Sequence, residues 1–130
     1  QIEFDKDGNV WIGTRVAERD DPDPQKRFGK GGINKMIGND IISFPEIKGF
    51  NDGDVYQIYR DKSDNIWIST VKNGVYRFDG KDFKHYEVPI SIMGMMEDRK
   101  GNLWLGGAGG LYRINQNGEV INVTKKGPWK

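Results

Sequence analysis

The chain has 130 residues, a length that suits one domain. Its 20 basic and 19 acidic side chains nearly cancel, which argues against a dedicated nucleic-acid binder and against a polybasic membrane surface. No cysteine is present, which excludes disulfides, thiolate nucleophiles and cysteine metal sites, and no apolar run reaches the roughly 18 residues that a membrane-inserted segment needs.

The chain opens in a strand-like run, Gln1 to Phe4, without an initiating methionine. It reads as a processed or truncated chain whose targeting segment is lost from view. Eighteen glycines, four tryptophans, five tyrosines and six phenylalanines predict many short strands joined by tight turns. No window keeps a helical apolar period without a glycine or proline interrupting it.

Next comes 5-DKDGNVWIGT-14, which returns as 61-DKSDNIWIST-70 and as 98-DRKGNLWLGG-107. Each copy holds an aspartate (Asp5, Asp61, Asp98) six residues before a tryptophan (Trp11, Trp67, Trp104), with Asn9, Asn65 or Asn102 between them. A glycine follows each copy and opens a new β run: Gly32, Gly74 and Gly110. Three residues later stands a base: Lys35, Arg77 or Arg113. The tryptophans lie 56 and 37 residues apart. The excess falls in the insertion 15–30 and in the loop 45–54, so the repeat itself is intact.

Each unit predicts four strands. In the second they are 55–60, 65–70, 74–78 and 82–87. The first turn needs a left-handed residue, which Gly8 and Gly101 supply and Asp64 tolerates at some cost. Asp79-Gly80 marks a second hairpin. Alternation puts Val75 and Arg77 on one face and Tyr76 and Phe78 on the other.

Each ten-residue copy is therefore an aspartate-anchored hairpin that delivers an indole into the space between neighbouring sheets. Repeats of about 40 residues with four strands predict an all-β fold of β-propeller blades. The blades are 1–44 with the insertion at 15–30, 55–87, and 92–124, together one partial propeller over 1–130. Three blades cannot close a ring. The chain is read as a partial propeller that needs further blades, or as half of a six-bladed homo-dimer pairing the first blade of one copy with the third of the other.

The pattern D-x-x-G-N-x-W-x-G-T followed by G-G-x-x-R-x-D resembles the two-component regulator propeller repeat. It departs from that pattern at Asp64, Ser69 and Gly107. The resemblance implies an extracytoplasmic sensor propeller of the kind found in bacterial hybrid histidine kinases and in secreted relatives. It implies a periplasmic or secreted location and a carbohydrate or other small-molecule ligand.

Motifs that carry chemistry are sparse. The Asp5–Asn9 segment begins like a calcium loop, but it has glycine at the fourth position and Val16 at the twelfth, so it reads as a turn. His85 is the only histidine and sits on an outermost strand, which disfavours zinc. The glycines at 106–110 fit a strand-to-strand turn rather than a phosphate cradle. The triplet Asn122–Thr124 matches a glycosylation acceptor by pattern alone. No serine lies in a nucleophile elbow. Met93, Met95 and Met96 read as core filling on an innermost strand.

No cofactor, metal or catalytic set is expected. The candidate ligand-binding residues are Arg15, Arg19, Arg27 and Lys72, on the connections between second and third strands, where a rigid scaffold presents loops. The favoured function is a non-catalytic ligand-recognition or interaction module. The alternatives are a self-assembly platform and a propeller lyase whose site needs further blades.

Overall fold

A computed structural model describes residues 1–15, 21–26, 31–43 and 54–126. Among them, twelve strands form three antiparallel four-stranded sheets whose order follows the chain. The first sheet holds β1 (Ile2–Phe4), β2 (Val10–Thr14), β3 (Gly32–Ile37) and β4 (Asp40–Ser43). The second holds β5 (Val55–Arg60), β6 (Ile66–Thr70), β7 (Val75–Phe78) and β8 (Phe83–Tyr86). The third holds β9 (Ser91–Glu97), β10 (Leu103–Ala108), β11 (Gly110–Ile114) and β12 (Val120–Asn122). The expected strands of the second unit differ from these by a residue at an end, at Asn65, Gly74, Asp82 and Glu87. No described helix is long and apolar enough to cross a membrane.

The recurring aspartate folds each first hairpin. Asp5 Oδ1 accepts the backbone N–H groups of Asp7 and Asn9, both at 3.0 Å. Its Oδ2 accepts the Asn9 amide and the Trp11 indole N–H, both at 3.1 Å. Asp61 and Asp98 repeat all four bonds, with indole distances of 2.8 and 2.9 Å. The turn, the asparagine and the tryptophan are thus one unit, which explains their fixed spacing. Asp64 takes φ 64°, as its place in the turn requires, beside 81° for Gly8 and 79° for Gly101.

Pairing fixes which side chains share a face, because residues directly opposite in an antiparallel sheet point the same way. One face of the first sheet carries the row Glu3, Trp11, Lys35, Ile42. The same row reads Tyr59, Trp67, Arg77, Lys84 in the second sheet and Met96, Trp104, Arg113, Ile121 in the third. The opposite faces carry Phe4, Val10, Met36, Ile41, then Arg60, Ile66, Phe78, Phe83, then Glu97, Leu103, Ile114, Val120.

The sheets pack in series. Strands β1 and β2 lie against β5, and β5 and β6 against β9. Two apolar cores result. The first seam buries Trp11 with Ile33, Val55, Ile58, Ile66, Ile68 and Tyr76. The second buries Trp67 with Val75, Tyr86, Ile92, Met95, Leu103 and Leu105, among others. Polar bonds also cross the second seam: Met95 N–H donates to Gln57 Oε1 at 2.8 Å, and Ser91 Oγ donates to the Val71 carbonyl at 2.7 Å.

Two expectations need correction. Trp104 lies on the outward face of the third sheet, half-buried, because no described sheet covers it. Of the three methionines read as core, only Met95 is buried. Met93 and Met96 are 58% and 69% exposed, because Met96 shares the outward row with Trp104 and Met93 sits at a register shift in β9.

Departures from the repeat pattern also have local causes. Ser69, fully buried in place of glycine, accepts the Gln57 N–H at 2.9 Å across an irregularity in β5. Gly107 admits no side chain, since a Cβ there would run into the Ser91 carbonyl.

Candidate functional site

The structure separates the molecule into two rims. One carries the aspartate turns and the hairpins between third and fourth strands. The other carries the connections between second and third strands, on which Arg15 and Lys72 lie.

Arg15 follows β2 and is exposed, with its guanidinium 4.6 Å from the centre of the Tyr56 ring. Lys72 is exposed in the turn between β6 and β7. It borders a cavity of about 390 Å³ shared with His85 and Glu87. His85 is exposed on the outermost strand, stacks on Tyr76 at 4.6 Å and pairs through Nε2 with the Asn73 carbonyl at 2.6 Å. Arg19 and Arg27 lie outside the described residues, as does most of the insertion at 15–30. Its residues 24–26 form a short 3-10 turn, Pro24–Lys26.

The tryptophans and aspartates proposed as anchors come together in each copy, as the hydrogen bonds above show. Their electrostatics follow. Burial pushes the Asp5 carboxyl up, but bonds from Asn9, Trp11 and Lys35 outweigh it and hold the pKa at about 2. Lys35 Nζ lies 3.3 Å from Asp5 Oδ2 and 5.2 Å from the Trp11 ring. The indole of Trp104 and the amide and backbone of Asn102 hold Asp98 well below the usual carboxylate range.

A larger cavity, about 560 Å³, opens on the aspartate-turn rim between the second and third sheets. Its wall includes Trp67, Arg77, Tyr86, Glu97, Leu103 and Ile114. The sequence reading did not find this site. Its signal was present in the repeat: Phe78 and Phe83 of one unit become Ile114 and Val120 of the next. Only the stacking order shows that the first pair packs on Trp11 and the second pair faces Trp67.

The comparisons agree with this architecture. The Two component regulator propeller family matches residues 1–15, 49–72 and 88–109. Among solved structures, the extracellular domain assigned to the one-component system BT4673 of B. thetaiotaomicron aligns with a TM-score of 0.69 and 18% identity, over 94% of this chain and 16% of that one. The extracellular domain assigned to the hybrid two-component system BT3049 of the same organism gives 0.73 and 16%, over 96% of this chain and 18% of that one. A streptogramin B lyase gives 0.59 and 19%, over 93% of this chain and 38% of that one. The chain thus spans less than a fifth of either sensor-system structure. No curated protein is matched by its sequence. With three stacked four-stranded sheets, each pinned by the same Asp-Asn-Trp unit, the chain carries two-component regulator propeller repeats over those three stretches.

Proposed function

We propose that this chain is part of an extracytoplasmic, non-catalytic recognition propeller, and that it contacts a small molecule or carbohydrate on the rim carrying Arg15 and Lys72. The observation that carries this reading is the exposed Arg15 guanidinium over the half-buried Tyr56 ring, on the rim that also carries Lys72. A planar aromatic–guanidinium pair offers an apolar face and hydrogen-bond donors together, which suits a polyhydroxylated or acidic ligand. The family and its extracellular structural neighbours support the compartment and the sensor role. The likeness to the lyase is one of fold alone.

The test is a thermal-shift screen against neutral and acidic oligosaccharides. A binder raises Tm by mass action. Replacing Arg15 and Lys72 with alanine removes that rise and leaves the unliganded Tm unchanged. A screen in which no compound raises Tm removes the main support for the reading.

A second reading rests on the end faces. Ile2, Phe4 and Ile41 are 65%, 54% and 64% exposed on the outward side of the first sheet. Met36 and Ile41 hold the positions there that Phe78 and Phe83 hold over Trp11. They are placed to cover the Trp104 of a second copy, in a head-to-tail pair of six blades. Sedimentation tests this directly: a dimer lost on Phe4→Lys supports it, and a well-folded monomer at micromolar concentration contradicts it.

A further inference from the structure

The wall of the cavity in the second seam includes Arg77 and Tyr86, each with a buried polar atom left unmet among the described residues. Arg77 Nε and the Tyr86 hydroxyl have no hydrogen-bond partner among the described residues, and both residues line the cavity. Tyr86 is only 4% exposed. A buried donor without an acceptor costs about 1–3 kcal/mol, so two on residues of one wall call for an explanation.

The equivalent groups elsewhere are satisfied. Lys35 of the first sheet pairs with Asp5. Arg113 of the third donates from Nε to Asn115 Oδ1 at 2.8 Å. In the second sheet the residue matching Asn115 is Asp79, whose Oδ1 is taken by the N–H groups of Lys81 and Asp82. Arg77 is therefore left facing the seam.

Charge defines what would fit. The acids of the wall are already engaged. Asp61 accepts four bonds from its own turn, and Glu97 accepts the Lys62 N–H at 3.3 and 3.4 Å. Arg77 lies over Trp67 and Tyr86 at 5.8 and 5.9 Å and has no ion pair among the described residues. Arg99 and Lys100 stand at the same wall, also without one. The site offers donors and positive charge against an aromatic floor, in a volume ordinary for small-molecule pockets.

We propose that the seam between the second and third sheets is a binding site for a small oxyanion, a carboxylate or a phosphate, held by Arg77 and Tyr86. The guanidinium fork matches the oxygens of either group, and the phenol supplies a further donor. This site lies on the opposite rim from Arg15 and Lys72 and stands or falls separately from the recognition site proposed there.

The test uses the chain as it is, titrated separately with inorganic phosphate and with acetate at constant ionic strength. The readout is the Trp67 indole N–H resonance. Saturable movement of that resonance, with the Trp11 resonance still, supports the site, and the anion that saturates at lower concentration identifies the source. Tyr86→Phe, which removes only the hydroxyl, weakens binding about three- to tenfold. Ile114→Phe, which copies the filled first seam, abolishes it without unfolding the chain. Arg15→Ala leaves it intact. Movement that never saturates, or that persists unchanged in Tyr86→Phe and Ile114→Phe, means hydration or ionic strength only and overturns the proposal.

Discussion

The two seams are built from the same repeat yet differ in what fills them. At the first, Phe78 and Phe83 pack on Trp11 at 5.0 and 6.3 Å, Lys35 is neutralised by Asp5, and the indole is fully buried. At the second, Ile114 and Val120 take the places of the phenylalanines, Arg77 Nε has no hydrogen-bond partner among the described residues, and a cavity of about 560 Å³ remains beside Trp67. The strand pattern is therefore enough to stack the sheets, because Trp67 is still 95% covered, with 5% exposed. Side-chain volume at two positions then decides whether the seam is solid or hollow.

The largest break in this comparison comes from the indoles. Trp11→Ala empties the first seam and removes one of the donors to Asp5, at a cost of about 3–5 kcal/mol. Trp104→Ala, on the open face, costs about 1–2 kcal/mol in the monomer. Urea melts of the two variants measure the difference. Next are the glycines at matching positions. Gly13 is pressed by Val55 of the neighbouring sheet, so Gly13→Ala overpacks the seam by about 1–3 kcal/mol. Gly106 meets nothing within 4 Å, and Gly106→Ala is neutral or slightly stabilising.

Filling the hollow seam acts in the other direction. Ile114→Phe raises stability by about 1 kcal/mol, seen as a higher urea midpoint at unchanged slope.

Acid sharpens the contrast further. The Asp5 pKa is lowered on folding, from 3.8 to about 2. Below 3.8 the unfolded chain binds the proton first, so the stability that Asp5 supplies is full above that value and is lost as pH falls towards about 2. Asp5→Asn flattens this part of the pH–stability curve, and it also breaks the pair with Lys35. The smallest effect belongs to the aspartate turn of the second sheet. Asp64→Gly relieves the left-handed backbone and gains about 0.5 kcal/mol after the added flexibility of the unfolded chain is subtracted.

Much of the fold was legible because the repeat fixes it three times over. The strands of the second unit, the left-handed Asp64 and the division of Val75 and Arg77 from Tyr76 and Phe78 all followed from period-two alternation and turn chemistry. The bond from each indole to its aspartate was not anticipated, although the constant six-residue spacing was its signature. Trp104 was misplaced because the repeat says which way an indole points and not whether anything lies over it. The cavity stayed hidden for a related reason. Leucine, isoleucine and valine all satisfy the alternation, and only the facing row shows that Ile114 stands where a phenylalanine filled the preceding seam. Arg15 and Lys72 both follow second strands and so share a rim; the rest of that group lies outside the described residues.

Neighbouring sheets seal the indoles, and hydrogen exchange of the indole N–H groups measures that sealing most directly. For monomeric chain the sealing predicts strong protection at Trp11, intermediate protection at Trp67 beside its cavity, and weak protection at Trp104. Fast exchange at Trp11, or equal protection at all three in the monomer, would contradict it.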